Sequence, residues 1–271
     1  MKRWFKVVLK GILAGALLFS MAQAASSASN NKFEKYKLIV SAFKCNIAAE
    51  TMAKSYIYLG VGTGTRQVKK DMQDAIATFN KNMKHLSESI NNRKIKNLLL
   101  FNKMNYDELL TTLKEPYSLD NAQKVLDYVA AISEGSRHIA EIYKKEIGHH
   151  DPVNRSGLNP MIESIAKYYI AYQAGIKDEN TKNQMAKTVK LCDKMIKLRV
   201  NYPKNTVAMN QTINKVNKLW VIVNQFYLDI DEGGLPFIVF KTTKELKEGL
   251  SKYNKQYAAL KKAELLKGKK R

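Results

Sequence analysis

The chain has 271 residues, and its 46 lysines and arginines exceed its 24 aspartates and glutamates, which gives a formal net charge of +22. A hydrophobic fraction of 45% is typical of a globular protein, and the 13 glycines and 5 prolines are few for this length, which favours long helices. With 2 cysteines, 4 histidines and no HExxH or CxxCH pattern, the sequence excludes a disulfide scaffold, an iron–sulfur cluster, a c-type haem and a zincin protease.

Residues 1–24 have the pattern of a secretory signal peptide. A basic segment precedes a short apolar run, residues 11–19, and Ala22-Gln23-Ala24 forms a small-x-small cleavage site. The apolar run is shorter than the roughly 20 residues that a membrane-spanning helix requires. We therefore expect cleavage after Ala24, rather than a retained anchor, and a soluble periplasmic protein of residues 25–271.

Apolar residues then recur at helical spacing in eight segments, which are separated by glycine- or proline-containing junctions. The spacing predicts helices over residues 30–59, 68–86, 95–113, from caps at Ser118 or Asp120 to about 147, and over 161–174, 181–200, 207–230 and 242–266. No segment has strand periodicity, so an all-α fold is predicted.

A glycine-, asparagine- and proline-containing stretch, residues 149–157, divides the helices into two groups of four. We predict two tandem antiparallel four-helix-bundle units, over residues 25–148 and 158–271, the second with a basic tail.

The two predicted units are related by an internal repeat of 113 residues. Met52-Ala53-Lys54-Ser55-Tyr56-Ile57 aligns with Ile165-Ala166-Lys167-Tyr168-Tyr169-Ile170, and Gly62 aligns with Gly175. Shared helical periodicity explains part of this agreement, but it does not explain an Ala-Lys-x-Tyr-Ile segment followed by glycine at the same distance. We interpret the repeat as the duplication of one helical unit.

The repeat starts, residues 44–56 and 154–169, resemble the PilJ/NarX-like N-terminal domain, which is the extracytoplasmic sensory module of pilus-type methyl-accepting chemotaxis transducers and nitrate/nitrite sensor kinases. The resemblance is carried by the Met-Ala-Lys-x-Tyr segment and covers nearly the whole of residues 25–271. It implies a stand-alone, tandem sensory module that works with a membrane chemoreceptor or sensor kinase and can form a homodimer. The family's arginine positions hold Lys44, Asn46 and Thr51, which argues against nitrate as the ligand.

Four basic residues near the repeat starts are candidate ligand contacts. Lys54 and Lys167 occupy equivalent positions, so they form either a cationic pair at a helix interface or ordinary exposed lysines. Lys44 and Arg155 flank the segment that the resemblance identifies as anion-binding, and the alternative is that both are solvated.

Tyrosines and cysteines are the other candidates. Tyr56 and Tyr169 precede the two glycine turns, where they either line a pocket or pack in the core. Cys45 and Cys192 can form a disulfide in an oxidising compartment only if their Cα atoms lie within about 7 Å, and we expect two buried thiols instead. The His149-His150 doublet is a weak metal-binding signal, so no metal site is predicted.

The sequence contains no GxSxG elbow, P-loop or GxGxxG motif, so neither enzyme activity nor a cofactor is expected. The positive charge favours an anionic partner, and no nucleic-acid-binding motif is present. We expect an exported binding protein that takes a small anionic or polar molecule at a helix interface and acts with a membrane receptor. One alternative is a structural or adhesive protein that binds acidic cell-envelope material, and another is a degenerate module without a ligand.

Overall fold

A computed structural model describes residues 2–268 except residues 64, 90–91, 149–156, 178 and 233–234, and it describes side chains within residues 31–260 outside those gaps and residue 232. The helices are α1 (Lys2–Gly60), α2 (Arg66–Glu88), α3 (Arg93–Thr112), α4 (Leu119–Glu146), α5 (Leu158–Gln173), α6 (Glu179–Val200), α7 (Val207–Leu228) and α8 (Pro236–Gly268), with a short 3-10 turn at Ile230–Glu232. The described residues contain no strand, which confirms the all-α prediction.

The predicted signal peptide falls on the part of α1 whose side chains lie outside the described residues. Among the residues that are described, no helix has both the length and the hydropathy needed to cross a membrane. Most of the predicted linker, residues 149–156, is also outside the described part, and α5 begins directly afterwards at Leu158. Export and the domain division therefore stay predictions.

Hydroxyl side chains begin several of the helices. Thr65, Ser118 and Thr206 each accept a hydrogen bond from the backbone N–H three residues later, which satisfies a donor that the helix itself leaves unpaired. Helix α8 begins at Pro236, six residues before the predicted start at residue 242. Proline is well suited to a first helical position, because its fixed φ is helical and its missing N–H is not needed there.

Glycines at equivalent positions of the repeat end α1 and α5. Gly62 has a φ of 74° and Gly175 a φ of 103°, which is the left-handed region that favours glycine. The repeat alignment thus matches two turns with the same backbone handedness.

The helices form two buried clusters that meet along α1 and α5. Helix α1 packs against α2, α4 and α5, while α5 packs against α1, α6 and α8; α3 packs on α4, and α7 packs on both α6 and α8. The cluster of the first half also includes Ile170, Ala171, Ile176 and Phe240 from the second half. The line of contact between α1 and α5, here called the seam, therefore belongs to both halves.

The two cysteines are buried and unbonded. Cys45 lies in the cluster of the first half and Cys192 in that of the second. The expectation of two buried thiols is confirmed.

Candidate functional site

Two reciprocal ion pairs cross the seam. Glu50 of α1 lies 3.0 Å from the Nζ of Lys167 on α5, and the Nζ of Lys54 on α1 lies 2.8 Å from Glu163 on α5. All four residues are at most 4% exposed. In each helix the glutamate is four residues before the lysine, so the two side chains lie on the same helical face. The face of α1 that carries this pair packs against the corresponding face of α5.

This arrangement reproduces the repeat as a pseudo-two-fold relationship. Glu50 and Glu163 are separated by the same 113 residues as Lys54 and Lys167, and each glutamate pairs with the lysine of the opposite repeat. A buried ion is tolerated only where a partner of opposite charge compensates its lost hydration. Each of the two pairs therefore joins α1 to α5 across the seam.

The surroundings of Glu163 differ from those of Glu50. In addition to Lys54, Glu163 accepts hydrogen bonds from the hydroxyl of Thr51 at 2.7 Å and from the ammonium of Lys247 on α8 at 2.5 Å. Burial by itself raises the pKa of Glu163, but Lys247 and Lys54 outweigh it and hold the pKa well below its usual range. Two ammonium groups thus share one carboxylate.

Among the described residues, Glu50 has one ammonium partner. It pairs with Lys167 and accepts a hydrogen bond of 2.8 Å from the hydroxyl of Ser133. Burial lowers the pKa of Lys167, but Glu50 and Tyr168 outweigh that effect and raise it. For Lys54 the balance is reversed: burial, assisted by the nearby charge of Lys247, lowers its pKa despite Glu163.

A groove of ≈ 590 Å³ opens on the Lys54 side of the seam. Helices α1 and α5 form its floor, where Thr51, Lys54 and Glu163 lie, and α2 and α8 form its two walls. The charged residues of the walls are Asp71 and Asp74 on α2, and Lys244, Lys247, Glu248, Lys252 and Lys255 on α8. The groove therefore presents charged side chains of both signs.

The structure places the predicted basic residues in different surroundings. Lys54 lies at the helix interface and lines the groove. Lys167 lies at the same interface but is buried against Glu50 and does not line the groove. The alternative that both are exposed lysines is wrong, because the seam covers them. Lys44 is exposed on α1 away from the groove lining, and Arg155 lies outside the described residues.

The two predicted tyrosines pack in the core and do not line the groove. The hydroxyl of Tyr56 donates to the carbonyl of Pro116 at 3.3 Å, and that of Tyr169 accepts from the backbone N–H of Leu235 at 3.1 Å. Both rings are buried, and that of Tyr169 meets the ring of Tyr227 edge-on at a centroid distance of 5.7 Å. Both tyrosines therefore have the environment of core residues and not that of groove-lining residues.

Sequence reasoning missed both seam carboxylates and the lysines of α8. A signal for the carboxylates was available, since the two repeats share Glu-(Thr/Ser)-x-Ala-Lys at residues 50–54 and 163–167. A glutamate four residues before a lysine normally indicates an ion pair within one exposed helix. The sequence pattern therefore does not reveal that each residue pairs with the opposite helix. Within the described residues, no cluster of histidine, cysteine, aspartate and glutamate is suited to hold a metal ion.

Comparison of the chain with protein-family models, curated proteins and solved structures found no match. The resemblance to the PilJ/NarX-like domain therefore depends on the motif at residues 44–56 and its counterpart at residues 154–169.

Proposed function

We propose that the protein is an exported, non-catalytic binding protein that holds a small anionic molecule in the groove beside the seam. The sharing of Glu163 by Lys54 and Lys247 is the observation that carries this proposal. When all three groups are ionised, the inner end of the groove holds one positive charge more than its buried carboxylate compensates. An anionic group of a ligand supplies the missing charge through charge-assisted hydrogen bonds.

The distribution of wall charges within the repeat supports a binding role. The positions 113 residues before Lys244, Lys247, Lys252 and Lys255 hold Ala131, Glu134, Ile139 and Ile142. The basic wall is therefore absent from the equivalent helix of the first half.

The proposal includes the finer organisation inferred from the sequence. The contacts of α1 with α2 and α4, and of α5 with α6 and α8, are compatible with a duplicated antiparallel four-helix unit. A small ligand that contacts both α1 and α5 can change the packing of the two halves. This is how a stand-alone sensory module would report occupancy to a membrane receptor or sensor kinase.

The test is calorimetric titration of residues 25–271 with acetate, succinate and phosphate at low ionic strength. We expect at least one anion to bind, and Lys244→Gln or Lys252→Gln to weaken it about tenfold, because each variant removes a charge-assisted contact. Lys218→Gln is the matched control, since Lys218 is an exposed lysine of α7 outside the groove lining. Equal losses in all three variants would show diffuse attraction and contradict a defined site.

A second candidate function, binding of acidic cell-envelope material, is favoured by the net charge of +22. It predicts a different result in the same experiment. No small anion would bind, whereas anionic liposomes or wall polymer would bind with an affinity that falls steeply as salt is added.

A further inference from the structure

The two walls of the groove carry predominantly opposite charges. Asp71 and Asp74 are three residues apart on one face of α2, and they are the charged residues that α2 contributes to the groove. On the α8 side, four lysines and one glutamate line the groove. Because α1 packs against both α2 and α5, and α5 packs against α8, the seam lies between the acidic wall and the basic wall.

The wall charges are available to a ligand. Within the described part of the chain, Asp71 and Asp74 form no ion pair, and neither do Lys244, Lys252 and Lys255. Asp71 accepts a hydrogen bond of 2.6 Å from Gln67, which is neutral, and its charge acts on the buried Lys54 without forming an ion pair. The walls thus face each other with opposite charges that are not joined across the groove.

Apolar groups also line the groove. Ile47 and Ala48 of α1, Ala75 of α2 and Phe240 of α8 contribute to the lining. The ring of Phe240 lies 5.2 Å from the Nζ of Lys54, so it borders the cationic end. A molecule that spans the groove from the acidic wall to the basic wall therefore contacts charged groups of both signs as well as apolar groups.

We infer that the ligand is a zwitterion of amino-acid size, with its ammonium group at Asp71 and Asp74 and its carboxylate at the lysines of α8 and the groove floor. This inference deepens the proposed function and depends on it, since it names the class of molecule that carries the anion. A volume of ≈ 590 Å³ is within the usual range for small-molecule sites and accommodates an amino acid. The acidic wall is specific to this side of the molecule, because the positions equivalent to Asp71 and Asp74 hold Gln184 and Lys187.

Three four-carbon ligands that differ in charge test the inference: 4-aminobutyrate is a zwitterion, succinate a dianion and putrescine a dication. In calorimetric titrations of residues 25–271, we expect 4-aminobutyrate to bind about tenfold or more tightly than either of the other two. Each charged end that meets a wall of its own sign loses a charge-assisted contact and gains repulsion.

Variants of the acidic wall provide the second part of the test. The double variant Asp71→Asn, Asp74→Asn should lose about tenfold or more in affinity for 4-aminobutyrate and should bind succinate at least as well as before. Asp127→Asn on α4 is the matched control, since Asp127 accepts a hydrogen bond of 3.0 Å from Gln123, four residues earlier, as Asp71 does from Gln67. The control should leave all three affinities unchanged, and the melting temperatures of the variants verify that they are folded.

The outcomes separate the inference from the proposed function. If succinate binds as tightly as 4-aminobutyrate, or if the double variant retains full affinity for 4-aminobutyrate, the zwitterion inference is overturned and anion binding stands. If putrescine binds most tightly, or if no anionic or zwitterionic ligand binds, both are overturned.

Discussion

Replacing Glu163 with glutamine should remove much of the stability of the protein. The side chain of Glu163 is fully buried and contacts Thr51, Lys54 and Lys247. Glutamine keeps the size of the side chain but removes its charge, so Lys54, which is 4% exposed, loses its counter-ion. Removing one partner of a buried ion pair costs about 3–5 kcal/mol. That is a large part of the roughly 5–15 kcal/mol that stabilises a typical protein.

Urea unfolding followed by circular dichroism measures this loss directly. The control is Asp107→Asn, which breaks an ion pair of 2.7 Å with Lys103 on the surface of α3. Both partners of that pair are more than half exposed, so we expect a change of about 0–1 kcal/mol. The reasoning is refuted if the free energies of unfolding of the two variants fall by the same amount. The double variant Glu163→Leu, Lys54→Met should recover part of the loss, because it removes both buried charges together.

The difference in stability between the wild-type protein and Glu163→Gln should depend on pH. In the folded protein Lys247 and Lys54 hold the pKa of Glu163 below its ordinary value of 4.5. A carboxylate with a lowered pKa contributes stability that is fully present above its unfolded pKa and is lost as the pH falls towards its folded pKa. The difference in stability between the wild-type protein and Glu163→Gln should therefore be largest near neutral pH and shrink below about pH 4.5. A difference that stays constant in acid would show that packing, not charge, accounts for it.

The remaining predictions concern the buried thiols and the seam. Cys45 and Cys192 should not react with a thiol reagent in the native protein and should both react in urea, because both are buried and burial raises the pKa of Cys45 to about 12; fast native labelling or a recovered disulfide would contradict this. A fragment of residues 25–148 should have the molar mass of a homodimer when it is measured by light scattering, because Glu50 and Lys54 of one copy can pair with Lys54 and Glu50 of another. A stable, cooperatively folding monomer would show that the fragment does not need the seam.

The periodicity of apolar residues predicts the helices because most of them bury one face, whereas α1 over residues 48–58 and α5 are buried on nearly all sides. The start of α8 differs from the prediction. Residues 231–236 contain two glycines and a proline and lie in the junction predicted between the helices that end at residue 230 and start at residue 242, yet Pro236 is the first residue of α8 and Phe240 reaches the core of the first half. A proline in a first helical turn and a proline in a loop have the same local signature, and only the packing of Phe240 against the other half distinguishes them.

The repeat located Lys54 and Lys167, but sequence alone could not place them. Their partners lie 109 and 117 positions away in the chain, at Glu163 and Glu50, and no local pattern encodes a pairing between helices at that separation. For the same reason the sequence does not identify the lysines of α8 as groove-lining residues. Their spacing indicates a charged helical face, but it does not indicate that Asp71 and Asp74 face them across a groove.

The charged residues of the seam are present in both repeats, whereas those of the groove walls are not. Glutamate and lysine of the seam occur in both repeats with the same spacing, as expected if they hold two similar units together: losing Glu50, Glu163 or Lys167 leaves a buried charge without an ionic partner. Apart from Lys247, which pairs with Glu163, the wall residues have no such constraint, because they are accessible to solvent, and the wall positions in the other repeat carry different charges or none. A duplicated bundle can therefore retain its seam and still diverge in its grooves. In this chain an acidic and a basic wall flank a groove whose inner end holds the ammonium groups of Lys54 and Lys247 and the single buried carboxylate of Glu163, so these charges converge on the same proposed site.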